Sequence, residues 1–444
     1  MRILGIAAPF GHDHSAAILV DGKVIAAAEE ERFTRKKHAD GQLPVNAIKY
    51  CLTQARLSPD EIDFVAHPWS FQALRRKRLE YFMRTIFSKP SRAYKKFFRS
   101  RREWAGQMRF VNRTLAASGF DISKVKIKWV EHHLAHVASS FYFSGFKDAA
   151  VMSIDAGGEV VSTLLGYANE KGIFKIKEII SPDSLGEFYA TMTDYLGFQK
   201  GDGEYKVMGM APYGDAARVN LGHIVGWDEN KKSYRCNEEY VWVNRSLRFN
   251  TDKVYSRKMV KEFGPERQGD GLSEPYIHIA AATQKTLEAM TVRLIDYYLK
   301  DILEKHGNLC FAGGCALNVA LNRILLEKAY IKRLWVQPAA SDCGASLGAA
   351  AYIAAQFGEV VEPMRHAYLG PDFSNNEIET VLKDSGFDYR VENDICAKVA
   401  SLLHSDNIVG WFQGRMEWGP RALGNRSILG NPTIRGTADR INSI

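Results

Sequence analysis

The first thirty residues alternate between apolar runs and short polar turns. RILGIAA, AAILV and KVIAAAE read as three β-strands, divided by a polar GHDHS loop and a tight turn at Asp21 and Gly22; runs of this kind bounded by turn residues predict a hairpin meander. About 145 residues later the pattern returns. From Ala149 to Ile180, three further strands flank an Asp-Ala-Gly-Gly-Glu loop and a turn near Glu170 to Gly172. Two meanders, each followed by helical segments, predict a duplicated α/β unit whose two lobes leave a cleft between them.

Between the meanders, PVNAIKYCLTQARL has helical periodicity, whereas EIDFVAHP and KIKWV read as strands. In the second half, IHIAAATQKTLEAMTVRLIDYYLKDILEK predicts one long amphipathic helix. GNLCFAGGCALNVALNRILLEK then predicts a strand, a Gly-Gly turn and a helix, and RLWVQPAASDCGASLGAAAYIAA a strand, a loop and a helix of small residues. A Pro- and Gly-containing connection over 358–374 marks a domain boundary. Beyond it come a helix (NNEIETVLKDSG), a strand near Tyr389, a helix (CAKVASLLHS) and the strand IVGWF. The expected division is a first domain over 1–360, with lobes of 1–147 and 148–360, and a second over 361–444.

Composition adds two constraints. A chain of 444 residues exceeds one compact core, and 46% hydrophobic with 25% charged residues fits a soluble globular protein. No apolar run is long enough to span a membrane, and the N-terminus lacks the pattern of a signal peptide, so a cytoplasmic location is expected. The six cysteines are scattered without a CxxC pair, which predicts buried reduced thiols rather than zinc ligands or disulfides. Net charge is +8, yet residues 75–109 alone hold 13 Lys/Arg against 2 acids. This segment, interleaved with Tyr81, Phe82, Phe87, Tyr94, Phe97 and Phe98, predicts two amphipathic helices broken at Pro90. It is a solvated insertion, a surface for an anionic lipid or acceptor, which would make the protein membrane-associated, or, least favoured, a nucleic-acid surface.

The candidate chemistry starts at VEHHLAHVAS. His132 and His136 are spaced i, i+4, so on a helix their imidazoles share one face and can grip a single metal ion, whereas His133 points elsewhere. A polar helix face carrying histidines is the competing reading. Loop acids Asp155 and Asp342 also fall where strands end or helices begin. Two imidazoles with one or two carboxylates form an N/O donor set suited to Fe(II), Zn or Mn. The Gly313–Gly314 turn can present backbone N–H groups to a phosphate, with Asn318 reaching a sugar or base, or it is simply a tight turn.

HDHSAA, EEERFTRKKH, HHLAH, SIDAGGE, KVMGMAPYG, FAGGCALN, ASDCGASLGAA and GRMEWGPRALGNRSIL occur in this order, and the set resembles the NodU-type O-carbamoyltransferases, the nodulation and antibiotic carbamoylation enzymes. The resemblance covers nearly the whole chain apart from the basic segment. It implies a duplicated actin/Hsp70-like (ASKHA) domain followed by the start of a YrdC-like α/β domain, left incomplete at Ile444. It further implies an ATP- and metal-dependent enzyme that makes carbamoyl-adenylate from carbamoyl phosphate and ATP, transfers the carbamoyl group to a hydroxyl of a sugar-containing, natural-product or glycolipid acceptor, and releases AMP. On this resemblance His132, His136, Asp155 and Asp342 hold the metal, iron as Fe2+. His12 faces the acceptor, with His14 as the alternative base. Lys37, Gly158, Gly313, Gly314 and Asn318 contact the nucleotide, and Arg415, Arg421 and Arg426 bind carbamoyl phosphate. Two other readings stay open: a threonylcarbamoyl-transferase-like protein acting on tRNA, and a catalytically inactive nucleotide-binding partner.

Overall fold

Both meanders form. In the computed structural model, which describes residues 1–7, 13–241, 252–269 and 271–442, strands β1 (Arg2–Ala7), β2 (Ser15–Val20) and β3 (Lys23–Glu29) are joined by β4 (Phe64–His67) and β5 (Ile127–Trp129) in one sheet. Its strand order is β3-β2-β1-β4-β5. The second lobe repeats it with β6 (Ala149–Ile154), β7 (Val161–Asn169) and β8 (Gly172–Ile180). A short hairpin, β9 (Val225–Asp228) and β10 (Ser233–Cys236), precedes β11 (Asn308–Ala312) and β12 (Arg333–Val336). The second sheet runs β12-β11-β6-β7-β8. In each lobe the central strand pairs antiparallel with its meander neighbour and parallel with the later strand. β1 and β6 are almost wholly buried, as near-continuous apolar runs require when both faces of a sheet are covered.

One helix follows the last strand of each sheet: His132–Phe141 after β5 and Gly344–Gln356 after β12. They pack against each other between the sheets. Contact is close because Gly348 has no side chain; a Cβ there would lie 1.9 Å from the Ala135 carbonyl oxygen. All ten residues of His132–Phe141 are buried, so its histidines do not lie on a solvated face. The apolar cluster around this pair draws Ile3, Ala17 and Leu19 from the first sheet and Val151 and Leu164 from the second, joining the lobes in one core.

Several expectations are corrected. The long helix breaks at Leu299 into Tyr276–Tyr298 and Lys300–His306, a bend that brings Leu299 and Leu303 both into the core. The basic segment forms three helices, Phe71–Thr85, Pro90–Phe98 and Ser100–Ala117, with a second break at Arg99. No strand forms near Tyr389, where the exposed chain meets no partner strand among the described residues. Five cysteines are buried and free as expected, but Cys396 is exposed.

The 358–374 connection runs back along the first lobe, where Met364 N–H donates to the Phe143 carbonyl and Ala27 N–H to the Leu369 carbonyl. Beyond it lie helices Asn375–Ser385, Ile395–His404 and Thr437–Asn442, and a hairpin of β13 (Val409–Phe412) and β14 (Arg426–Leu429). No helix among the described residues is long and apolar enough to cross a membrane.

Candidate metal centre

Four side chains from three loop-to-element junctions converge between the lobes. His132 and His136 come from the first turns of the buried helix, Asp155 from the end of β6, and Asp342 from the loop before Gly344–Gln356. The lobes share one topology, so the helix bearing His132 and the helix after Asp342 are equivalent elements, packed side by side with both N-terminal ends at the cleft.

The two Nε2 atoms are 3.1 Å apart. His136 Nε2 lies 3.1 Å from Asp155 Oδ2 and 3.4 Å from Asp342 Oδ1, and His132 Nε2 lies 3.6 and 3.2 Å from the same atoms. All four donor atoms fall within 4.8 Å of one another. Ligands about 2.1 Å from a transition metal stand about 3.0 to 3.4 Å apart along the edges of an octahedron or a tetrahedron, so these spacings fit one ion. Both Nδ1 atoms are buried without a partner, leaving every polar contact of the two rings at Nε2. The residues therefore fit a metal.

The electrostatics agree. Burial alone would lower His132, but Asp342 and Asp155 outweigh it and hold the imidazole well above its ordinary range. Burial and Asp342 would raise Asp155, but the two imidazoles bring it below the ordinary carboxylate range. Burial would likewise raise Asp342, but His132 and His136 hold it well below. His133 behaves differently. Burial and its two histidine neighbours push it far down, and its ring bonds Ser153 Oγ at 2.7 Å and the Val161 carbonyl at 2.9 Å. It is a neutral core histidine that ties the helix to the second sheet.

Support around the cluster was only partly legible. Ala156 N–H (2.8 Å) and Gly314 N–H (3.4 Å) donate to Asp155 Oδ1, leaving Oδ2 toward the histidines. Gly158 packs on His132, where a Cβ would come within 2.9 Å of the His132 Cβ. Sequence reasoning missed Glu159. Its buried carboxylate accepts from Ser70 N–H at 2.6 Å and His132 N–H at 3.2 Å, capping helix His132–Phe141. The signal was available as an acid closing the DAGGE loop. Trp69, also missed, meets the His132 ring edge-on at 5.8 Å between centroids.

The other candidates are more dispersed. His12 lies outside the described residues. His14 is buried and stacked on Phe110 at 5.6 Å. Lys37 is 54% exposed and 3.6 Å from Asp202 across the lobes. Gly313 adopts φ +87° and donates to the Ala340 carbonyl, while Asn318 caps helix Val319–Leu326 and exchanges two amide hydrogen bonds with Gln284. The Gly-Gly turn's second N–H is thus directed at Asp155 rather than left open.

Arg415 bonds the Ile25, Leu369 and Gly370 carbonyls and the Tyr50 hydroxyl; Arg421 reaches the Leu317 carbonyl at 3.0 Å, and Arg426 lies 3.8 Å from Glu417.

Residues 2–351 match the family model described as Carbamoyltransferase N-terminus, and residues 400–444 the model described as Carbamoyltransferase C-terminus. Over 97% of the chain it is 37% identical to the uncharacterized protein sll1178 of Synechocystis sp., spanning 71% of that protein. Over 98% it is 33% identical to nodulation protein NolNO of Sinorhizobium fredii, spanning 60% of it. Nodulation protein U of Rhizobium tropici is 25% identical over the whole chain, which spans 75% of that protein. Among solved structures, component A of the Acidaminococcus fermentans (R)-2-hydroxyglutaryl-CoA dehydratase aligns with TM-score 0.42 at 13% identity, over 80% of this chain and 99% of that one. Full-length HypF in its phosphate- and nucleotide-bound form aligns with TM-score 0.38 at 14% identity, over 81% of this chain and 56% of that one.

Proposed function

This chain belongs to the carbamoyltransferase family, and from that premise we propose that it transfers a carbamoyl group to a hydroxyl of a sugar-containing or natural-product acceptor, at the cleft where His132, His136, Asp155 and Asp342 meet. The observation that carries the reading is this buried N2O2 cluster, lying inside the segment that matches the family's N-terminal model. In this reading residues 1–360 are an actin/Hsp70-like transfer domain, supported by the repeated strand order, and 361–444 are part of a carbamoyl-adenylate-forming domain. The four side chains would hold a divalent ion, Fe(II) by preference. When bound, such an ion polarises a carbonyl as a Lewis acid.

The chain's own residues supply the rest. The acceptor oxygen bonds to the carbamoyl carbon, the carbon–oxygen bond to the adenylate phosphate breaks, AMP leaves, and the hydroxyl proton passes to a base. Of the two loop histidines, His14 is packed against Phe110, so His12 is assigned as that base. Lys37, whose exposed ammonium pairs with Asp202, exchanges that partner for the nucleotide phosphate. The remaining nucleotide contacts, at Gly158, Gly313, Gly314 and Asn318, rest on the motif resemblance. Carbamoyl phosphate and ATP are the proposed source of the adenylate. For that step Arg421 and Arg426 remain the candidates, whereas the bonds of Arg415 direct it to docking the C-terminal segment on the first lobe.

The test supplies preformed carbamoyl-adenylate to the iron-loaded protein with a panel of polyhydroxylated acceptors and reads products by mass. A gain of one carbamoyl group, lost in His136→Ala and strongly reduced in His12→Ala, is expected. No gain on any acceptor with the metal bound would overturn the reading.

A further inference from the structure

The strongest local charge in the chain lies on helices Phe71–Thr85, Pro90–Phe98 and Ser100–Ala117, inserted between β4 and β5. The second lobe has a single 3₁₀ turn, Gly314–Leu317, and helix Val319–Leu326 between its equivalent strands β11 and β12. With 13 Lys/Arg and 2 acids, residues 75–109 carry more positive charge than the +8 of the whole chain, so the remainder is net acidic. Part of this charge is neutralised internally: Lys77 pairs with Glu178, Arg84 with Asp183 and Lys96 with Glu103. Arg75, Lys95, Arg101, Arg102 and Arg109 are exposed and have no carboxylate partner among the described residues.

Apolar groups are exposed alongside them. Leu79, Met83 and Phe87 follow at four-residue steps, which sets them in one stripe along helix Phe71–Thr85 and the turn that continues it. They are 59, 62 and 94% exposed. Tyr94 and Phe98, packed together at 4.8 Å, add exposed aromatic surface on the next helix. The acids across the groove from Phe87 are locally offset, since Glu239 pairs with Lys258 and Glu238 lies near Lys89 and Arg84.

We propose that this insertion docks the protein on an anionic lipid bilayer, with Arg75, Lys95, Arg101, Arg102 and Arg109 among the headgroups and Leu79, Met83 and Phe87 at the acyl boundary. Amphipathic helices rich in Lys/Arg with large apolar residues beside them bind in this way. A second copy would set like charges against each other. RNA would satisfy the arginines but leave the Leu79 and Met83 stripe in water, because neither side chain offers a ring on which a base can stack. The surface is also tied to the metal cluster, since Ser70, immediately before the first of these helices, donates to Glu159, and Trp69 packs on His132.

Sedimentation of the full chain with vesicles of phosphatidylcholine, with and without phosphatidylglycerol, tests the proposal. Retention on the anionic vesicles alone is expected, weakening as salt is raised. Arg101→Gln and Arg102→Gln should each weaken retention about fivefold, from roughly 1 kcal/mol per basic residue at such a surface. Leu79→Ser, Met83→Ser and Phe87→Ser together should abolish it, while Val391→Ser, an exposed apolar site in the C-terminal segment, should leave it unchanged. All of these side chains face solvent, so the fold is retained and circular dichroism verifies this. Equal retention on both vesicle types, no retention, equal loss with Val391→Ser, or a concentration-dependent dimer or RNA complex in place of vesicle binding would each overturn it.

Discussion

His132 and His136 bring two ring nitrogens to 3.1 Å with two carboxylate oxygens beside them, a grouping that a proton can only partly satisfy and a divalent ion can satisfy at once. The same tolerance governs Gly158. Because a Cβ there would fall 2.9 Å from the His132 Cβ and 3.0 Å from its Cδ2, Gly158→Ala must shift the His132 backbone and its imidazole with it, and metal affinity, read by competition with a chelating dye, should drop roughly 10- to 100-fold. A second residue-level test lies at the cleft's edge. Asp13 bonds the His38 ring at 2.7 Å and, against the opposing effect of burial, raises it above its ordinary 6.5. A raised folded value means that the protonated pair stabilises the fold below pH 6.5, and that this contribution is lost as pH rises through the folded value. His38→Gln should therefore cost stability at pH 6, by less than about 1 kcal/mol for a partly exposed pair, and almost nothing at pH 9, as read from urea midpoints.

At the scale of elements, the centre depends on how closely two helices approach. Helix Gly344–Gln356 reaches His132–Phe141 only because position 348 is bare, so Gly348→Ala should cost about 1–3 kcal/mol, lowering the calorimetric melting temperature and loosening metal binding together. Glu159→Ala removes the acceptor for Ser70 and His132 N–H groups and should cost about 1–3 kcal/mol by stranding buried donors. This scale also separates what the sequence discloses from what it hides. The meanders were legible because Asp21–Gly22 and Glu170–Gly172 punctuate short apolar runs, and the histidine pair because i, i+4 is a local spacing. Asp342 was reached only from its place in a loop between a strand and a helix, and then from motif resemblance, since no periodicity links it to a helix some 200 residues earlier. The break at Leu299 carries no Gly or Pro, and tertiary packing decides it. Glu159 escaped notice because its partners, Ser70 and His132, are distant in sequence and meet only in the folded chain. A β-run near Tyr389 failed for want of a neighbouring strand.

Across the whole molecule, the repeated sheets place equivalent helix starts and strand ends on opposite sides of one cleft, and the C-terminal segment is fastened to the first of them. Arg415 contributes to that fastening through the Ile25, Leu369 and Gly370 carbonyls and the Tyr50 hydroxyl, whose own pKa is pushed up to about 12, burial outweighing the nearby guanidinium. Arg415→Ala should loosen the segment, with charged hydrogen bonds worth roughly 1.5–3 kcal/mol each, and limited proteolysis should then cut the 358–374 connection faster. The docking of two lobes on one core matters for function because it sets Asp342 of one helix start against His132 of the other. Everything proposed for catalysis rests on that meeting. Metal content measured by plasma mass spectrometry on iron(II)-loaded, desalted protein tests it most directly: one ion per chain in the wild type, falling to background in His136→Ala and in Asp342→Ala, is the predicted result, and equal metal content in all three proteins would contradict it.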